Sequence, residues 1–264
     1  MDSLGPGKLL LQATEAIVKR VREDTDPVFF KLRRMQEIYL NRNRLLYSEP
    51  HNQRIRRHFE SVVYKFLLTD IQLEQLWALS EDARLSLWKA LDNSLSKLEW
   101  NDNQSISGSV FLESFLFEAR SFIDIFLFYV CLLMGYEKPG MMSLKKFYRC
   151  MKSTQEPILK RKSARLHCYF KKNVFSEDGW GTLLKGLRDK IAHQEHLRSS
   201  YEGSEKLFGK VLLDWPTLRG KTFDRFCQEI ENGMFNMIRE TSPILFDLEW
   251  KSGPYKPDLW KETV

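Results

Sequence analysis

Residues 111–134 constrain this chain more than any other segment. They read FLESFLFEARSFIDIFLFYVCLLM, apolar except for two serines and Glu113, Glu118, Arg120 and Asp124. The longest uninterrupted apolar run, residues 125–134, has ten residues. A membrane-crossing helix needs roughly 20, so the segment predicts a buried helix and no span. A helix apolar on nearly every side belongs at the centre of a bundle. Its four charged side chains then need partners from neighbouring helices, either as a buried polar network or as a site.

The surrounding pattern is helical too. Residues 9–22 predict a first helix, with a break and restart at Thr25-Asp26-Pro27 because proline suits a first helical turn. In residues 28–47 the apolar positions Phe29, Leu32, Met35, Ile38 and Tyr39 recur at three- and four-residue spacing. Residues 55–67 predict a short helix. Thr69 to Gln72 then resembles a capping box opening a long periodic segment that ends at Leu98. Residues 101–108 are polar and turn-like. Helices are further predicted over 112–134, 143–151, 180–197 and 223–239. Residues 205–221 are ambiguous, and no alternation is long enough to predict a sheet. The expected fold is therefore all-α: an antiparallel helical bundle over residues 109–240, an additional N-terminal helical region over 1–108, and a Pro- and Trp-containing tail over 241–264.

Charge and cysteine narrow the function classes. The four cysteines form no CxxC pair, which gives no support to a structural zinc site or a dithiol redox motif. No cofactor and no metal are expected, and the N-terminus lacks the pattern of a secretory signal. A cytoplasmic location and no membrane partner follow as expectations. Lys and Arg number 41 against 35 Asp and Glu, a mild excess of +6. Its distribution matters more: residues 144–173 hold ten Lys/Arg and one acid, Glu156. Lys160, Arg161, Lys162, Arg165, Lys171 and Lys172 are the candidate nucleic-acid contacts, as phosphate-neutralising cations. The other reading is a solvated face. Arg54, Arg56 and Arg57, beside His51 and His58, form a second basic cluster.

The glycine signatures of nucleotide-binding loops, the serine-hydrolase elbow and the metalloprotease motif are all absent. One segment carries chemistry: Leu187-Arg188-Asp189-Lys190-Ile191-Ala192-His193. His193 has a neutral-range side chain that can take a proton from a 2′-hydroxyl or give one to a leaving 5′-oxygen. Arg188 offers a fork of donors to the scissile phosphate, where negative charge grows. No metal is required. Five residues advance a helix by about 500°, so the two side chains stand about 140° apart. They need a facing helix or a second subunit to share a site. Asp189 either orients the His193 ring or forms an ordinary i,i+4 surface pair.

Arg188-x-x-x-x-His193 resembles the R-x4–6-H signature of the HEPN superfamily. Asp189 resembles the polar residue after the arginine, and residues 118–124 resemble the acidic, apolar helix that precedes the motif. The resemblance covers residues 109–240 at most. It implies a helical bundle that dimerises across the motif-bearing helices. It also implies a metal-independent endoribonuclease of toxin–antitoxin, abortive-infection or RNA-processing type, with RNA and an antitoxin-like protein as partners. Arg188 and His193 would be the catalytic pair, Asp189 the auxiliary polar residue and Glu118 a supporting acid. Members that have lost activity imply the alternative, an inactive module binding nucleic acid, nucleotide or a protein.

Overall fold

A computed structural model describes the backbone of residues 6–92, 97–137, 143–193, 203–207, 210–213, 217–218 and 221–249. Side chains are described for residues 15–78, 110–137, 143–189 and 225–249. The fold is all-α. Among the described residues its helices are α1 (Pro6–Arg42), α2 (Glu49–Asp92), α3 (Lys97–Leu133), α4 (Leu144–Ser153), α5 (Pro157–Tyr169), α6 (Trp180–His193) and α7 (Phe223–Phe246). A π-helical turn, Phe170–Val174, extends α5. Between α6 and α7 lie two small antiparallel strand pairs, β1 (Gly203–Leu207) with β2 (Lys210–Leu213), and β3 (Thr217–Leu218) with β4 (Lys221–Thr222). They occupy the stretch whose sequence was ambiguous. No helix among the described residues is long and apolar enough to cross a membrane.

The first three helices are longer than their sequences suggest. Proline interrupts a helix at a cost of about 3 kcal/mol, yet α1 runs straight through Pro27. Its buried stripe, Val21, Thr25, Phe29, Leu32, Met35 and Tyr39, keeps one helical phase across the proline. Packing of that stripe outweighs the lost donor. Thr69 is likewise no cap. It is buried within α2, and its hydroxyl donates to the Lys65 carbonyl at 2.9 Å. Ile55, Phe59, Val62, Phe66, Thr69, Leu73 and Leu76 form one unbroken stripe. The expected turn at residues 101–108 is helical as well, inside α3. One helix thus crosses the expected division at residue 108, and a single buried cluster draws on both sides of it.

Charged pairs set the register of these three helices. Arg20 pairs with Glu74, Arg33 with Glu60 at 2.7 Å, and Arg56 with Glu37 at 2.8 Å, so α1 and α2 run antiparallel. Lys65 meets Glu118 at 2.7 Å, while His51 Nε2 hydrogen-bonds to the Leu132 carbonyl at 2.9 Å, so α2 and α3 are antiparallel too. As its sequence predicts, α3 is central, with residues 129–134 all buried. Phe66 joins four helices by edge-to-face contacts with Phe29, Phe122 and Phe235 at 5.1–5.4 Å between ring centroids.

The C-terminal helix also outruns its expected end. It continues through Pro243 to Phe246, whose ring meets Tyr39 edge-on. Thr241 and Ser242, expected in an irregular tail, are buried and donate to the Met237 and Ile238 carbonyls. Trp250 and Trp260 lie outside the described residues.

Candidate functional site

Two regions hold the residues singled out from the sequence. The first is the face made by α4, α5 and the π turn. Ser143 caps α4 by accepting from the Lys146 backbone N–H at 3.3 Å, and Pro157 opens α5 at its first turn. In α5 the apolar positions Leu159 and Leu166 turn inward with Lys162 and Ser163. Lys160, Arg161 and Arg165 lie on the opposite, exposed face, and Lys171 and Lys172 on the π turn are exposed too.

Lys162 is the exception among the six candidate contacts. It is 4% exposed. Its ammonium donates to the Leu245 carbonyl at 2.9 Å, pairs with Asp247 at 2.5 Å and sits 4.0 Å from the centre of the Tyr39 ring. Burial lowers its pKa, against the opposing pull of Asp247. This cation therefore ties α5 to the C-terminal end of α7, where the unsatisfied carbonyls favour positive charge. It is not available to a phosphate.

The neighbouring cations behave differently. Lys145, Arg149, Lys152, Lys160, Arg161, Arg165, Lys171 and Lys172 are all exposed. None makes an ion pair with a carboxylate among the described residues. Lys152 from α4 and Lys171 from the π turn both lie close to His167, whose pKa is lowered first by burial and then by these two charges. Lys152 and Lys171 thus act on the same ring from α4 and from the π turn. Ten of the 41 cations and one of the 35 acids fall in residues 144–173, so the rest of the chain is net acidic.

Apart from the exposed Arg57, the second basic cluster is engaged internally. Arg56 is bidentate to Glu37, and Arg54 donates to the Glu137 carbonyl. His51 is 5% exposed and stacks on Tyr47. His58 donates from Nδ1 to the Arg54 carbonyl and stacks on Phe128 at 4.5 Å. A phosphate-contacting role for these histidines is not supported.

The second region is the seam between α3 and α6. Phe117, Arg120 and Asp124 share one side of α3. The Arg188 guanidinium lies 5.5 Å from the Phe117 ring centre and 3.4 Å from the Asp189 carboxylate. Arg120 binds Asp124 at 2.7 Å, and its Nη1 is buried without a partner. Burial raises the Asp124 pKa, while Arg120 and Arg188 pull it down. Asp189 is held below the usual carboxylate range, chiefly by its hydrogen bond from Lys185 at 2.8 Å and further by Arg188.

Of the proposed catalytic set, Arg188 and Asp189 are therefore together. Glu118 is not with them: it is held by Lys65 on the α2 side of α3. His193 is the last residue of α6, and its side chain lies outside the described residues. Trp180 is engaged in packing, because its ring covers Gly233, where an added Cβ would stand 2.6 Å from ring carbons.

Two features escaped the sequence reading. A groove along α4 is lined by Leu144, Lys145, Tyr148, Arg149, Lys152 and Ser153. Its signal was present, since most of these positions repeat as i, i+1, i+4, i+5 and i+8 on one helix face. Asp70 of α2 and Glu231 of α7 form a carboxyl–carboxylate hydrogen bond beside Phe66, Leu73, Phe115 and Met234. Burial raises both pKa values, Glu231 to about 8. No spacing rule could pair residues so distant in sequence. No family model matches the chain, and no curated protein and no solved structure matches it either.

Proposed function

We propose that this chain binds RNA through the exposed face of α4, α5 and the π turn. The supporting observation is the run of eight exposed cations with no carboxylate partner among the described residues, whereas Arg20 and Arg33 of α1 and Arg56 and Lys65 of α2 are paired. Such a surface attracts polyanions by releasing their condensed counterions.

A salt series tests it. The Lys160→Ala/Arg161→Ala/Arg165→Ala variant should bind labelled RNA more weakly. Three lost phosphate contacts should reduce the slope of log K against log salt by about 2 for a single strand. An unchanged slope and affinity would sink the reading.

The polar seam favours a second reading, cleavage by Arg188 and His193. Arg188 approaches the half-buried Arg120–Asp124 pair, so a phosphate at the seam would meet two guanidinium groups. Because the two motif residues diverge around α6, this reading needs a facing element or a second copy of the chain. It expects RNA cleavage that persists in EDTA and is lost in both Arg188→Ala and His193→Ala. Intact RNA after incubation with the folded protein would leave binding alone.

A further inference from the structure

We propose that the α4 groove holds an unpaired base, so that the cationic face prefers single-stranded RNA to duplex. This rests on the RNA-binding reading and deepens it. The groove combines two chemistries that a duplex cannot use together. Leu144 and the Tyr148 ring give it an apolar floor, and Lys145, Arg149 and Lys152 flank that floor on the same side of α4. A duplex presents phosphates but keeps its bases stacked inside, which would leave Tyr148 facing sugar and water. A single strand can place a base on the ring while its phosphates reach the flanking cations.

The ring is also held in place. Tyr148 meets His167 edge-on at 4.9 Å and packs against Phe147 at 5.6 Å, so little side-chain freedom remains to be lost on stacking. Its hydroxyl is buried with no hydrogen-bond partner among the described residues, so the phenol oxygen is not the group a ligand would meet.

Fluorescence anisotropy with labelled oligouridylate and a blunt-ended RNA duplex of equal phosphate count tests the proposal on the full chain. Wild type should favour the single strand by about tenfold, the worth of one stacked base. Tyr148→Ala should reduce single-strand affinity to the duplex level and leave duplex affinity unchanged. Tyr148→Phe should behave as wild type. Should Tyr148→Ala fail to give the wild-type circular dichroism spectrum, Tyr148→Leu, which keeps the bulk but not the aromatic plane, carries the same expectation.

Equal binding of both RNAs, both still weakened by Lys160→Ala/Arg161→Ala, would overturn the groove and leave the cationic face standing. Binding of neither RNA would overturn both. Polyglutamate bound as tightly as the single strand would overturn the base pocket in favour of an acidic protein partner.

Discussion

Lys162 and Lys160 are two residues apart and have opposite fates. Helix phase separates them: Leu159, Lys162 and Leu166 share the inward face of α5, while Lys160 and Arg161 point out. Lys162→Ala removes an ammonium that binds the Leu245 carbonyl, Asp247 and the Tyr39 ring together. Loss of a buried charged hydrogen bond costs roughly 1.5–3 kcal/mol. The half-exposed Asp247 can rehydrate, which keeps the effect near the lower end. Urea midpoints of Lys162→Ala against Lys160→Ala check this. The first should be destabilised by about 2 kcal/mol with RNA affinity little changed, and the second should show the reverse. Greater loss of RNA affinity than of stability in Lys162→Ala would contradict the assignment. The inward phase was legible in the apolar spacing of α5, but a lysine on that face needs the end of α7, about 80 residues away, to explain it.

At the scale of elements, the apolar periodicities were legible and the ends of helices were not. Pro27, Thr69, residues 101–108 and Pro243 all carry local stop or start signals, and helices continue through each of them. Local signals are worth about 1–3 kcal/mol, and the buried stripes they interrupt outweigh them. The candidate site shows the same division. The basic run of α4 and α5 was plain from composition, whereas the distribution of its partners was not. The α2–α7 contact yields a pH prediction. Burial raises both folded pKa values; Asp70 raises Glu231 further, whereas the hydrogen bond with Glu231 lowers Asp70, with Asp24 adding to its rise and Arg20 opposing it. A carboxyl raised in the fold stabilises most below its unfolded pKa and loses that contribution as pH climbs through the folded value. Stability should therefore fall between about pH 4.5 and 8 by more in wild type than in Glu231→Gln. Thermal midpoints of the two proteins across that window check it, and parallel curves would refute the pair.

The molecule as a whole is a bundle of long antiparallel helices built around α3, with its surplus of positive charge concentrated on one short helical pair. Ligand aside, that face has a cost of its own. Eight like charges, with no ion pair to a carboxylate among the described residues, repel one another, and the folded chain keeps them closer than the unfolded chain would. The free protein therefore carries an electrical pressure against its own α4–α5 packing. Dissolved ions relieve it, because the screening length shrinks from about 30 Å at 0.01 M to about 8 Å at 0.15 M. Adding potassium chloride over that range should raise the melting temperature, by about 2–4 °C for each kcal/mol of repulsion removed, while weakening RNA capture. The Lys160→Ala/Arg161→Ala/Arg165→Ala variant should melt higher than wild type at low salt and respond less to added salt; an identical response would deny the repulsion. On the proposed reading, the occupied face and the empty face would answer to ionic strength with opposite signs, and a bound RNA would stand in for the counter-ions that salt supplies.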